Sequence, residues 1–161
     1  MTAVGVIFSS MHEENIPELS GHRTMASVPF GGRYRMIDFT LSNMVNAGIT
    51  TVGLMTKTNY QSLIDHIGSG KEWDLARKDG GIVLLPPYID ENETVITTRL
   101  EALKGIIGFL DRCKQDYVVL SDCDGVARMD LQAVIAFHEQ KGADITMVTH
   151  NQPVVRTHYY M

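Results

Sequence analysis

The sequence predicts an α/β fold built on a mostly parallel, Rossmann-like sheet with helices on both faces. Short unbroken apolar runs at Ala3 to Phe8, Thr51 to Thr56 and Tyr117 to Leu120 suit strands buried on both sides. Segments with helical spacing lie between them, and glycine or proline marks many of the joints. Strand followed by helix, repeated, implies right-handed crossovers and a parallel sheet.

In order, Ala3 to Phe8 is the first strand, and a long loop follows it. A loop of about twenty residues inside a compact domain is uncommon unless it has a task. From Arg35, the apolar residues Met36, Phe39, Leu41, Met44, Val45 and Ala47 recur near helical spacing, with Gly48 placed as a C-terminal cap. Thr51 to Thr56 is the second strand. Gln61 to Ile67 reads as a short helix, Ile82 to Leu85 as a strand stopped by Pro86 and Pro87, and Arg99 to Leu110 as one helix with an apolar face. Tyr117 to Leu120 is a strand whose far end carries Ser121, Asp122, Cys123 and Asp124. Leu131 to Lys141, closed by Gly142, is a helix leading to a last strand at Ile145 to Thr149. Asn151 to Met161 supplies no further helix, so the sequence reads as part of a larger domain.

Composition narrows the function. With 161 residues, 44% of them apolar, the chain can bury a core of one domain or most of one. A formal charge of -5 and no Lys/Arg cluster argue against a general nucleic-acid binder, leaving small molecules or proteins as partners. Cys113 and Cys123 form no CxxC pair and fit a reducing compartment. No apolar run reaches the roughly 20 residues that cross a membrane, and MTAVGVIF carries no basic flank or cleavage site, so a cytoplasmic, non-membrane protein is expected. There is no internal repeat or low-complexity tract.

Ligands of parallel α/β sheets bind at the carboxyl ends of the strands, where the long first loop and the Asp122-Cys123-Asp124 turn both fall. A DxD at a strand end is a candidate metal site, and equally a turn or helix cap. Gly31 and Gly32 suit a tight turn. Arg33 and Arg35 stand where an anion would meet a helix start, although arginines there are also commonly paired or solvated. Around Trp73, the sole tryptophan, Asp74 is a candidate helix cap and Arg77 its pairing partner. The histidines show neither HxH nor HExxH spacing, and no Ser or Cys lies in a GxSxG-type setting, so nucleophilic hydrolase chemistry has no support.

An ordered set of motifs, VPFGGRYRMIDFTLSN from Val28, GSGKEWDLAR from Gly68 and GGIVLLPP from Gly80, resembles the ADP-glucose pyrophosphorylase (glucose-1-phosphate adenylyltransferase) family, and most of all its noncatalytic branch in glycogen biosynthesis. The resemblance runs to about Val148. It implies that residues 1–161 are an incomplete N-terminal nucleotidyltransferase-like domain, without the β-helical C-terminal domain of the family. The implied chemistry is attack of glucose 1-phosphate on the α-phosphate of ATP with release of pyrophosphate, which needs cations and backbone donors around the triphosphate.

Against the family motif GGxGxRLxPLTxxRAKPAVP, laid without a gap from Val28 and Pro29, Ser10, Met11 and Glu13 replace the glycines, Asn15 the catalytic arginine and Met25 the lysine. Leu19, Ser20 and Arg23 keep the pattern. Glu13 and Glu14 add negative charge; at an effective dielectric near 20, unit charges about 4 Å apart interact by roughly 4 kcal/mol, so triphosphate is repelled. The family sequence LSGDH, whose Asp holds Mg2+, becomes Leu120 to Asp124 with Cys123 at the metal position, a soft ligand for a hard cation. Asp122 and Asp124 remain the candidate metal ligands. The small GTADA segment of the nucleotide pocket corresponds to Thr98, Arg99, Leu100, Glu101 and Ala102, and implies a filled pocket with Glu101 at its wall. Leu85, Pro86, Pro87 and Tyr88 match the family's edge near the base and would accept an adenine; a strand end and turn is the plainer alternative.

The resemblance thus implies a noncatalytic or impaired regulatory subunit that assembles with a catalytic glucose-1-phosphate adenylyltransferase subunit as a hetero-oligomer. The Trp73 segment is then a surface that reports ligand state or meets a neighbour, unless it simply packs on the sheet. Mg2+ and ATP are its cofactors if nucleotide binding is retained. An active adenylyltransferase and a nucleotide or sugar-phosphate sensor without turnover stand as alternatives.

Overall fold

The computed structural model describes residues 2–9, 17–86 and 98–149. Its centre is a four-stranded parallel sheet. The strands are β1 (Ala3–Phe8), β4 (Thr51–Met55), β5 (Gly81–Leu85) and β6 (Tyr117–Asp122), in the order β5-β4-β1-β6. The intervening β2 (Pro29–Phe30) and β3 (Tyr34–Arg35) form a small antiparallel hairpin, in which Phe30 pairs with Tyr34 across Gly31 and Gly32. Those glycines have φ of 60° and 82°, backbone that a side chain disfavours, so the expected tight turn is present.

Period-two alternation distributes the core. Val4, Val6 and Phe8 of β1 point to one face, where they join Met55, Leu85, Ala102, Ile106 and Phe109. Ile7, Val52 and Leu54 point to the other and meet Ile37, Leu41, Met44, Leu63 and Ile67. The first of these faces is covered by α4 (Arg99–Gly105) and α5 (Ile107–Leu110), the second by α2 (Met36–Asn46) and α3 (Gln61–Ile67). The sheet is therefore layered by helices on both sides, as the sequence predicts.

The first loop is more structured than its sequence suggests. It holds a one-turn helix, α1 (Pro17–Ser20), and a 3-10 turn at Met25–Ser27 whose residues are all buried. Helix α2 begins at Met36, where the helical spacing predicts, and Ile37, not among the predicted apolar positions, is fully buried, whereas Phe39 turns outward to meet Phe30 at 5.4 Å and Tyr34 at 5.9 Å between ring centroids.

Two expectations are corrected. The single helix over Arg99 to Leu110 is broken at Ile106, with φ -105° and ψ 10°, because Ile106 and Phe109 both turn into the core beside Ala102. The strand expected at Ile145 to Thr149 is not formed: residues 145–149 carry no regular structure, and Ile145 and Met147 are 84% and 80% exposed. The preceding helix, α6 (Leu131–Lys141), buries only Leu131, so it packs too little to hold its successor against β6. No helix among the described residues is long and apolar enough to cross a membrane.

Candidate functional site at the carboxyl edge of the sheet

Because β1, β4, β5 and β6 run in parallel, their carboxyl ends meet at one edge. The register puts Phe8 opposite both Met55 and Asp122, and Met55 opposite Leu85. Backbone bonds continue past the strands, from Ser9 N–H to the Met55 carbonyl at 3.1 Å and from Thr56 N–H to the Leu85 carbonyl at 3.1 Å. The returning first loop is pinned to the same edge, since Ala26 N–H donates to the Ser9 carbonyl at 3.2 Å. Beside these bonds the Ser9 hydroxyl is buried, with no hydrogen-bond partner among the described residues.

The Asp122-Cys123-Asp124 turn splits three ways. Cys123 is buried and its thiol faces the Ser9 carbonyl at 3.4 Å, so it sits as a packed structural group. Asp122 is part-buried and bound through Oδ2 to the Arg99 guanidinium, while its carbonyl accepts the Thr40 hydroxyl at 3.3 Å. Asp124 is exposed. Arg99, the first residue of α4, also places its guanidinium carbon 6.0 Å from the centroid of the Phe8 ring. A divalent cation arriving here meets one carboxylate already paired with a guanidinium and one thiol already turned to a carbonyl. Among the described residues no group of three or more His, Cys, Asp or Glu side chains is gathered for a metal ion.

The other candidates take definite places. Glu101 closes a reciprocal cap at the start of α4: its carboxylate accepts Thr98 N–H at 3.2 Å, and the Thr98 hydroxyl accepts Glu101 N–H at 3.3 Å. Leu85 is buried at the end of β5 and Pro86 is exposed beyond it. Tyr88, Pro87, Ser10, Met11, Glu13, Glu14 and Asn15 lie outside the described residues. Met25 is buried in the core against Ala26 and Val28. Arg35 gives its guanidinium to Ser62, at 2.6 Å to the carbonyl and 2.7 Å to the hydroxyl, and Arg33 is exposed. Trp73 packs at the border of the core and meets the His66 ring edge-on at 6.1 Å. Arg77 pairs with Asp74 as expected, but Asp74 ends the 3-10 turn at Lys71–Trp73 and does not begin a helix.

An open groove of about 830 Å³ extends from Arg99, Asp122 and Asp124 along β6 to α6 and residues 144–148. The sequence does not reveal it, since it is set by how β6, α6 and residues 144–148 come together. The sequence carries no trace of it, since Val118 and Leu120 of β6, exposed in the structure, read there as part of an ordinary buried strand.

The geometry is that of an α/β sheet with its ligand edge at the strand carboxyl ends. The family model for nucleotidyl transferases matches residues 16–160. This chain belongs to the nucleotidyl transferase family. It is 37% identical over 145 residues to the glycogen biosynthesis protein GlgD of Bacillus subtilis, a match covering 90% of this chain and 42% of that protein. It is 40% identical over 149 residues to GlgD of Geobacillus stearothermophilus, covering 91% and 43%. With the glucose-1-phosphate adenylyltransferase of Clostridium kluyveri it shares 39% identity over 135 residues, covering 83% and 35%. The nucleotidyl transferase chain thus spans about two fifths of the length of these relatives. Among solved structures, a Bacillus anthracis protein described as a glucose-1-phosphate thymidylyltransferase, in complex with sucrose, superposes with a TM-score of 0.67 at 14% identity, covering 86% of this chain and 51% of that one; this likeness speaks for the fold alone.

Proposed function

We propose that this chain is the nucleotidyltransferase-like part of a regulatory, catalytically impaired subunit of glucose-1-phosphate adenylyltransferase in glycogen biosynthesis. It acts in the cytoplasm by assembling with a catalytic homologue as a hetero-oligomer and altering that partner's response to effectors. Such coupling needs differential contacts in two states and no chemistry of its own. The observation that carries the reading is Cys123, at the position of the family's metal-holding Asp, buried with its thiol against the Ser9 carbonyl. Met25, at the position of the family's lysine, supports it by lying in the core. The GlgD relatives point the same way.

A second reading, an active enzyme making ADP-glucose and pyrophosphate, draws on the adenylyltransferases that match about as well. It requires Mg2+ at Asp122 or Asp124 and cations from outside this chain. A third, a sensor of ATP or a sugar phosphate, needs only the Leu85 to Tyr88 edge for adenine, with Glu101 as a further contact. Pyrophosphate release from ATP and glucose 1-phosphate separates them. The full-length protein alone should release none, and mixing it with the catalytic homologue should change that enzyme's kinetics. Turnover by the full-length protein alone would replace the regulatory reading with the enzymatic one. Thermal stabilisation by ATP without turnover, and without any effect on the homologue, would favour the sensor.

A further inference from the structure

Among the described residues β6 pairs only with β1, so in the order β5-β4-β1-β6 its outer edge keeps a row of backbone N–H and C=O groups with no strand beside it. Edges of this kind are normally blunted by a lysine, a proline or a bulge. Tyr117 to Asp122 carries neither residue, and its register with β1 runs unbroken from end to end. Val118 and Leu120 stand in register with Val4 and Val6 of β1, which are buried, yet they are 46% and 49% exposed. The apolar layer on that face of the sheet thus continues past β1 and stops uncovered at β6. Across the groove of about 830 Å³, Ile145 and Met147 present a second exposed apolar wall, and α6, which buries only Leu131, does not close the space between.

We propose that this groove is a slot for one further β-strand, added edge to edge onto β6 and supplied by polypeptide of the full-length protein outside these 161 residues. A small ligand could cover Val118 and Leu120, but only another backbone matches a whole row of N–H and C=O groups at strand spacing. The relatives have chain to spare for that role: this chain spans about two fifths of their length, so most of their polypeptide lies outside the stretch it matches. The added strand would carry apolar residues at alternate positions, facing Val118 and Leu120, which lie two apart on one face. A second copy of this chain fits less well. Two β6 strands laid antiparallel bring the Asp116 end of one toward the Asp122 and Asp124 end of the other, carboxylate toward carboxylate. The slot is set by the sheet, so the inference stands whether the protein is regulatory or active.

Hydrogen–deuterium exchange of the full-length protein, read amide by amide over residues 117–122, is the test. In an open edge strand only the alternate amides that face the neighbouring strand are bonded, and the outward ones exchange freely; with a strand added, both sets are protected. The outward amides of β6 should exchange on the order of a hundredfold more slowly in the full-length protein than in the 161-residue chain, and dilution should leave that protection unchanged. Leu120→Asp in the full-length protein sets a charge against the added strand, and should return the outward amides to fast exchange while those facing β1 stay slow. Leu120→Ser serves if Leu120→Asp does not fold, with far-UV circular dichroism as the check. Fast outward exchange in the full-length protein, slow exchange already in the 161-residue chain, protection that falls away on dilution as a second copy requires, or protection indifferent to both Leu120 variants would each overturn the proposal. The regulatory reading fails separately, if the full-length protein leaves the kinetics of the catalytic homologue unchanged whatever its exchange pattern.

Discussion

Asp38 joins two helices: one carboxylate oxygen accepts the Arg35 N–H at 3.0 Å, capping α2, and the other meets His66 Nε2 of α3 at 2.6 Å. The side chain is nearly buried, so both bonds are made away from most water. Arg35 adds a second tie through Ser62, and the two contacts together set α3 against the start of α2.

Asp38→Ala removes a helix cap and leaves His66 without its acceptor. The expected loss is about 2–3 kcal/mol, combining a cap with a part-buried charge-assisted bond. Asp38→Asn should lose less, because an amide oxygen still accepts from Arg35. Urea denaturation midpoints of the two variants check the order.

Gly53 and Gly5 both lie in central strands, but a methyl group added at each meets different neighbours. At Gly53 it would come within 2.7 Å of Leu85 Cδ1 and 2.9 Å of the Phe109 ring, in a wall packed from two sides. At Gly5 it meets the Met44 sulfur at 2.5 Å, the far end of a flexible side chain. Gly53→Ala should therefore cost about 1–3 kcal/mol and Gly5→Ala less, as read from thermal melts.

Met25→Lys restores the family's charge on paper, but the side chain it replaces is buried among Ala26, Val28 and the α2 and α3 core. A lysine there is either buried unpaired or forces the 3-10 turn open. The variant should lose several kcal/mol of stability, on the order of 3 or more, without gaining ATP affinity by isothermal calorimetry. A stable variant with tighter ATP binding would show that the turn rearranges readily.

Asp116 ties the beginning of β6 to the beginning of β1: its carboxylate accepts the Thr2 N–H at 3.0 Å and the Thr2 hydroxyl at 3.2 Å. The backbone bond from Thr2 foremost, then the hydroxyl, hold its carboxyl below the usual carboxylate range. A lowered folded-state value means that the ionised form is favoured by folding. Its contribution is full above the unfolded carboxylate range and is lost as the pH falls through the lower folded value. Asp116→Asn should melt below the wild type at neutral pH, with the gap narrowing on acidification, in melting curves taken across the acid range.

The strand and helix order was legible in the sequence because it depends on local periodicity. The apolar runs of β1, β4 and β6 and the spacing of α2, α3 and α6 need no partner to be recognised. The turn at Gly31 and Gly32 was legible, but the strand pairing of Phe30 with Tyr34 and the buried turn at Met25 were not, since isolated short segments carry no period and take their form from the core they close. The break at Ile106 falls between Gly105 and Gly108, which weaken a helix, and it coincides with Ile106 and Phe109 both joining the core with Leu85 and Met55. At the site, the residues Asp122, Cys123 and Arg99 were visible as departures from a motif, but nothing in their spacing says that Arg99 reaches Asp122, 23 positions away.

By itself, then, the sequence determined the parallel α/β architecture and the edge at which a ligand would sit, while its resemblance to a family motif is what suggested that the first loop departs from that motif. Tertiary structure alone decided that the Cys123 thiol meets the Ser9 carbonyl, that Asp122 is paired with Arg99 and that residues 145–149 do not join the sheet. The reason is physical: periodicity and composition are summed along the chain, whereas ion pairs and strand pairing depend on which distant groups the packed helices bring within a few ångströms.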